Sequence, residues 1–283
     1  MTSKAGQLRL SVTREQELAE LAEAIADEYF PTLRIEPLAI IQAKEITSSF
    51  GYYGDSFDGL LEHQSGRFHI YANLDRLEQS DSTRARFTLG HELGHYFIDE
   101  HRNAMAAGLP PHPSVCEYES DLLIEREADH FASSLLMPPT RFGKRAQRMP
   151  RGMQGILNVA HEFGTSLTST AIKYVRLDIL PCLVMKWSND RLEWKWLSTE
   201  TFEAPFRRPI ESFDKLQPDS PTARAIRGER PPASGFFSAG TTASAWFPFV
   251  SGASSRNTLF IEESIQLGRF GVLTFLYPEA GSY

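Results

Sequence analysis

Cysteine is scarce in this chain: only Cys116 and Cys182 occur in 283 residues. They lie far apart and in no Cys-x-x-Cys spacing, which excludes a disulfide framework and a thiolate metal site and makes the reducing cytosol the expected compartment. Long apolar runs are missing too. None approaches the roughly 18 residues that span a bilayer, and the opening "MTSKAGQLRLSVTREQ" lacks the apolar core of a signal peptide. Nor is there an excess of positive charge. The formal net charge is -7, so no overall basic field attracts nucleic acid or an anionic membrane, and any DNA contact must be local. Internal repeats and extended low-complexity tracts do not occur.

What is present is an ordinary globular composition, 41% hydrophobic, at a length that favours two units over one. "REQELAELAEAIADEYFP" places Leu18, Leu21, Ile25 and Tyr29 at helical spacing, with Pro31 marking the end. "RFHIYANL" alternates Phe68, Ile70 and Ala72 against His69, Tyr71 and Asn73, so a small antiparallel sheet is expected there. Asp81 or Ser82 caps a helix running to about Asp99, and a Pro-rich loop follows from Asn103 to Ser114. A second strong helix, "ESDLLIEREADHFASSLLMPP", ends at Pro138. "ILNVAHEFGTSLTSTAIKYVRL" has two short helical patterns broken at Gly164, the outline of a helix-turn-helix. Beyond Pro181, "CLVMKWSNDRLEWKWL" reads as a hairpin turning at Asn189-Asp190, with further strands at "SAWFPFV" and "FGVLTFLYP".

The chemistry concentrates in "RFTLGHELGHYFIDEH", residues 86 to 101. Residues four apart on a helix differ by about 40° around the axis, so His91 and His95 point the same way and can share one metal ion. Glu92, one step round from His91, can reach a water at such an ion without binding the ion itself, which is the position of a general base. The pattern His-Glu-x-x-His arises by chance in about one or two of every hundred shuffled chains of this composition, so context has to decide. That context is an apolar-periodic helix after a predicted strand. Gly90 and Gly94 each cost a helix interior roughly 1 kcal/mol against Ala, which suggests that something packs closely on that face.

Catalytic zinc takes three protein ligands, so a third must come from elsewhere. In "IEREADHFA", Glu125 and Asp129 share a face, continued by the small Ala132, while Glu127 lies about 200° round from Glu125 and should point away. Ile124, Ala128, Phe131 and Leu135 form the apolar stripe that holds this helix to the core. Buried carboxylates beside such a stripe need a cation or donors. Glu125 is the favoured ligand and Glu127 its main competitor, with His101 and His130 behind. Asp129 is expected to accept a hydrogen bond from the distal nitrogen of a ligand histidine, His91 by preference.

At these residues the chain resembles the ImmA/IrrE-type metallopeptidases, a family related in its core to the zincins whose third ligand is glutamate. "RFTLGHELGHYF", followed some 30 residues later by "EREADHFASSLLMP", reproduces both family blocks. The strand-like "FHIYANLD" and the later "LTSTAIKYVRL" match the family's layout. The resemblance covers about residues 30 to 180. It implies His91, His95 and Glu125 as zinc ligands and Glu92 as the base that activates water. It further implies a cytoplasmic protease that cleaves a Cro/CI-like helix-turn-helix repressor in a stress or mobile-element response. The expected fold is α+β: a minimal zincin-like metallopeptidase domain (1–145), a helix-turn-helix-like segment (146–180) and a carboxy-terminal α+β domain, sensory or regulatory (181–283).

Three rival readings stand beside this one. A DNA-binding or protein-binding regulator with a non-catalytic zinc site draws on the helix-turn-helix outline, with Lys173 and Arg176 on the second helix, against few cations and net negative charge. A purely structural zinc site would prefer thiolates and four protein ligands, which this set lacks. Cys116, between the two metal helices, is read either as a cap on the fourth metal position of a latent enzyme or as an incidental thiol, and free cysteines are commonly the latter. Tyr96 and His130 are candidates for stabilising an oxyanion, a role left unassigned.

Overall fold

The computed structural model of the chain describes residues 10–108, 123–198, 206 and 208–279. Cys116 and the end of the expected Pro-rich loop lie outside the described residues. The chain divides into two units, residues 1–142 with 162–166, and residues 143–161 with 167–283. The fold is mixed α+β.

In the first unit, Ser11 caps helix α1 (Val12–Tyr29) by accepting a hydrogen bond from the Arg14 amide at 3.1 Å. Leu18, Ala22, Ile25 and Ala26 form its buried face. Pro37 opens α2 (Pro37–Ala43), where its missing N–H costs nothing. Strands β1 (Thr47–Gly51), β2 (Gly59–Gln64) and β3 (Arg67–Asn73) form a sheet in the order β1-β3-β2. Ser65 and Gly66, at φ of 52° and 76°, make the tight turn that pairs β2 and β3 antiparallel. The expectation of a wholly antiparallel sheet needs correcting, because β1 and β3 pair in parallel. β3 inserts between β1 and β2, and running opposite to β2 it runs with β1. Asn73 at the end of β3 is buried. It accepts N–H bonds from Tyr53 and Asp75 at 3.1 Å and donates to the Gly54 and Phe57 carbonyls at 2.7 Å, tying the loop before β2 to α3 (Leu74–Leu77).

Ser82, as expected, caps the next helix, α4 (Thr83–Phe97), accepting from the Ala85 amide at 3.0 Å. The helix stops two residues short of Asp99, and α5 (Asp99–Ala106) begins after Ile98. Helix α6 (Leu123–Leu136) packs against both α1 and α4. Ile35, Ile40, Ile41, Ile70, Leu93 and Phe131 are fully buried in the core these elements enclose. Helices α7 (Pro139–Ala146), α8 (Met153–Phe163) and α9 (Leu167–Arg176) follow, with Gly164 at φ 62° between the last two.

The second unit holds β4 (Leu183–Ser188), β5 (Arg191–Leu197), α10 (Pro221–Ile226), β6 (Phe237–Thr242), α11 (Ala243–Trp246), α12 (Ala253–Arg256), β7 (Leu259–Gln266) and β8 (Val272–Pro278). Its sheet runs β5-β4-β8-β7-β6 with every pairing antiparallel. The β4–β5 hairpin turns at Asn189, φ 53°, as expected, and β8 is the expected "FGVLTFLYP" strand. "SAWFPFV" is not a strand: it begins in α11 and continues as a turn. Its buried residues Trp246, Phe247 and Val250, with Ala243 just before it, fall at helical spacing, while Phe249 is 72% exposed. Strand β7 went unread because its centre is Glu262-Glu263. Both are buried. Glu262 accepts from the Thr222 amide, near the start of α10, and from Trp246 Nε1, each at 2.8 Å. Glu263 accepts from the Met153 amide, the first of α8, at 2.5 Å. Each carboxylate thus meets an amide left over at a helix N-terminus. Among the described residues no helix is long and apolar enough to cross a membrane.

Burial pushes the Glu262 carboxyl above its ordinary value of 4.5, despite the opposing bonds from Thr222 and Trp246. A raised folded-state value means that stability is fully present below 4.5 and is lost as pH rises through the folded value. The urea midpoint of Glu262→Gln is therefore expected to gain on wild type between acid and neutral pH; a pH-independent difference between the two counts against this account.

Candidate metal centre

Helix α4 carries His91, Glu92 and His95 and α6 carries Glu125, all four buried. The helices meet because Gly94 has no side chain. A Cβ there would stand 3.0 Å from Ala128 Cα and 3.2 Å from its carbonyl oxygen. Gly90 is less demanding: its Cβ would sit 3.5 Å from Ala132 Cβ, an ordinary contact. Across this contact His91 Nε2 and His95 Nε2 stand 3.1 Å apart. Glu125 Oε2 lies 3.2 Å from the former and Oε1 3.4 Å from the latter. His91, His95 and Glu125 are brought together with one ligand atom each within 4.8 Å of the others.

The donor set suits a divalent metal ion. Three donors held tetrahedrally at about 2.0–2.1 Å from zinc stand about 3.3–3.4 Å from one another, near the 3.1 Å between the two imidazole nitrogens and the 3.2 and 3.4 Å that separate them from the two oxygens of Glu125. His91 Nδ1 is 2.8 Å from Asp129 Oδ1. A carboxylate only accepts, so that nitrogen carries the proton and a neutral His91 presents its Nε2 lone pair to His95 and Glu125. Glu125 Oε1 meets no hydrogen-bond geometry among the described residues. Burial opposes the charge on Glu125, yet His91 and His95, when they carry a proton toward it, outweigh burial and hold the carboxyl well below the ordinary carboxylate range; a metal ion would take the place of those protons. Burial also pushes the His95 imidazolium down, favouring the neutral ring that a metal requires. Donor atoms converge here on a point that could hold a metal ion.

Residues 77–174 match the family model described as the IrrE N-terminal-like domain, of the peptidase M78 family. Over this stretch, about a third of its length, the chain is similar to an IrrE N-terminal-like domain. No curated protein sequence matches the chain. A solved structure described as a Mycobacterium tuberculosis transcriptional regulator shares the fold, with a TM-score of 0.59 at 12% identity over 94% of this chain and 78% of that one.

Within the matched segment, the competitors for third ligand have uses that residue spacing does not reveal. Glu127 does point away from the Glu125 face, but not into solvent: it is 8% exposed and its Oε2 lies 2.8 Å from His101 Nε2. Arg14, outside the matched segment, binds the same carboxylate through Nε and a terminal nitrogen at 2.8 and 3.2 Å. His101 in turn places Nδ1 3.2 Å from His95 Nδ1. Burial, with the neighbouring His95, pushes the His101 imidazolium down to about 4. Tyr96 stacks edge-on against Phe68 at 5.2 Å. Gly59, at the start of β2, was also missed. A Cβ there would meet Thr88 Cγ2 at 2.5 Å and Glu92 Oε1 at 2.6 Å, so this glycine makes room for the Glu92 carboxylate.

The two helix glycines separate cleanly by experiment. Gly94→Ala is expected to cost about 1–3 kcal/mol in urea unfolding, as overpacked contacts do. Gly90→Ala should be neutral or gain up to about 1 kcal/mol from helix propensity. Equal effects of the two would contradict the clearance assigned to Gly94.

Proposed function

We propose that this chain is a cytoplasmic zinc metalloendopeptidase whose substrate is a Cro/CI-like helix-turn-helix transcriptional repressor, cut in a stress or mobile-element response. The observation that carries the reading is the triangle of His91, His95 and Glu125 donors with the Glu92 carboxylate buried beside it. We assign His91, His95 and Glu125 as ligands, Glu92 as general base and Asp129 as the residue that fixes the His91 tautomer. The peptidase domain is assigned to residues 1–145, with a helix-turn-helix-like segment at 146–180 and a regulatory α+β domain at 181–283.

A zinc ion bound here supplies Lewis-acid polarisation of the scissile carbonyl and makes water more acidic. Glu92 takes the proton from the attacking water and delivers it to the leaving amine, a two-way transfer suited to a carboxylate close to the reacting atoms. Glu125, held as a carboxylate, leaves the site with one formal negative ligand charge. Among the described strands β2 pairs only with β3. Its other edge offers backbone donors and acceptors to an extended peptide, and Gly59 brings that edge to Glu92. A helix-turn-helix repressor as substrate rests on the ImmA/IrrE resemblance.

The DNA-binding alternative gains from the fold shared with a protein described as a transcriptional regulator. Its two cations weaken it: Lys173 is 7% exposed, and Arg176 lies over the Trp196 ring at 5.8 Å. Phosphate contact needs exposed, available cations.

Purified protein incubated with zinc and a helix-turn-helix repressor encoded beside its gene should yield discrete fragments. Glu92→Gln is expected to slow cleavage by about 10²–10⁴-fold while keeping its zinc; equal cleavage by both removes Glu92 as base. Cleavage of no neighbouring repressor counts against the substrate class. Separately, elemental analysis should show stoichiometric zinc in wild type and its loss in His91→Ala and Glu125→Ala. Gly59→Ala, which pushes a methyl against Glu92, should retain zinc and lose cleavage.

A further inference from the structure

His95 and His91 are oriented by different means. His91 donates its Nδ1 proton directly to the Asp129 carboxylate. His95 has a histidine at the equivalent place, and two neutral imidazoles do not by themselves say which one donates. The direction is set further out. Arg14 donates to both oxygens of Glu127, so Glu127 is an ionised carboxylate and can only accept. His101 Nε2, 2.8 Å from Glu127 Oε2, therefore carries a proton. A neutral ring protonated at Nε2 has its lone pair at Nδ1, and that atom faces His95 Nδ1 at 3.2 Å. His95 must then be the donor, protonated at Nδ1. Its Nε2 is left as a lone pair facing His91 Nε2 and Glu125.

We propose that Arg14, Glu127 and His101 form a positioning relay that holds His95 in the one tautomer able to bind metal. This rests on the metal-site reading above and adds residues to it. Free neutral imidazole favours the opposite form, protonated at Nε2, so His95 without the relay would present an N–H where a lone pair is needed. The relay is buried at its inner end: His101 is 4% exposed and His95 5%. It begins on α1, which makes the docking of the amino-terminal helix on α6 part of the metal site.

Two readouts test the relay without using activity. Nitrogen-15 NMR of the metal-free protein reports the His95 tautomer, and competition with a chromophoric chelator reports zinc affinity. Wild type is expected to show His95 protonated at Nδ1. His101→Phe keeps ring volume but removes the acceptor. It should move His95 to the Nε2–H form and weaken zinc binding by about 10–100-fold, the usual loss when a ligand's hydrogen-bond partner is removed. His101→Asn places an amide oxygen near the Nδ1 position and should keep both tautomer and affinity within about threefold, since a carbonyl accepts as the lone pair does. Should His101→Phe fail to fold, Glu127→Gln serves in its place: its amide either donates or accepts, so His95 should become a mixture of tautomers. An Nε2 proton on His95 in wild type overturns the relay, as does an unchanged tautomer and affinity in His101→Phe or Glu127→Gln. Because the tautomer is read without metal, failure of wild type to take up zinc counts against the metal reading alone.

Discussion

Helix α6 comes within van der Waals reach of the α4 backbone at Gly94, and the chemistry of the first unit depends on that approach. With the Ala128 backbone against Gly94, the carboxylate of Glu125 arrives beside two imidazoles from another helix. Side-chain length then matters little. A glutamate reaches because the backbones are already close, and Ala128 and Ala132 keep the seam narrow. Protein interiors transmit small changes in volume, so one methyl at the seam acts directly on the separation of Glu125 from His91 and His95.

Such a cluster places several ionisable groups out of water, a cost met only when every charge and proton has an assigned partner. The partners come from distant parts of the first unit. Asp129 serves His91, while Arg14, Glu127 and His101 serve His95 in sequence. Close to the Glu92 carboxylate, Asp58 is fully buried and held by Arg76 at 2.5 Å and Arg84 at 2.8 Å, which anchors the backbone just before Gly59. The loop that leads into β2 is therefore pinned by a charge on one side and by Asn73 on the other. A glycine whose only task is to leave room needs that rigid setting.

Much of this was legible from the chain alone. His91, Glu92, His95, Glu125 and Asp129 stand out because helical periodicity puts such side chains on shared faces at fixed spacing, and spacing is what a sequence displays; the structure brings His91, His95 and Glu125 together. Ser82 as a cap and Asn189 as a turn are local in the same way. The relay is different in kind. Arg14 and Glu127 are 113 residues apart, and no local rule couples them. His101 follows no ligand spacing, so it was ranked among weak ligands when its place is one hydrogen bond further out. The parallel pairing of β1 and the clearance at Gly59 depend equally on which segments meet. In the second unit, "SAWFPFV" was misread because its aromatic content outweighed a burial period that is helical, and β7 was hidden by two adjacent acids.

Those two acids have a consequence for the sheet itself. Adjacent residues of a strand point to opposite faces, so Glu262 and Glu263 reach amides of α10 and α8 on the two sides of one strand. A strand is ordinarily kept from sliding by its hydrophobic pattern, which a two-residue shift preserves and a one-residue shift inverts. Here either shift would draw one or both carboxylates away from their helix ends and leave charges buried without donors. β7 is held against slippage like a rail pinned from above and below, and the order of its neighbours β6 and β8 inherits that alignment.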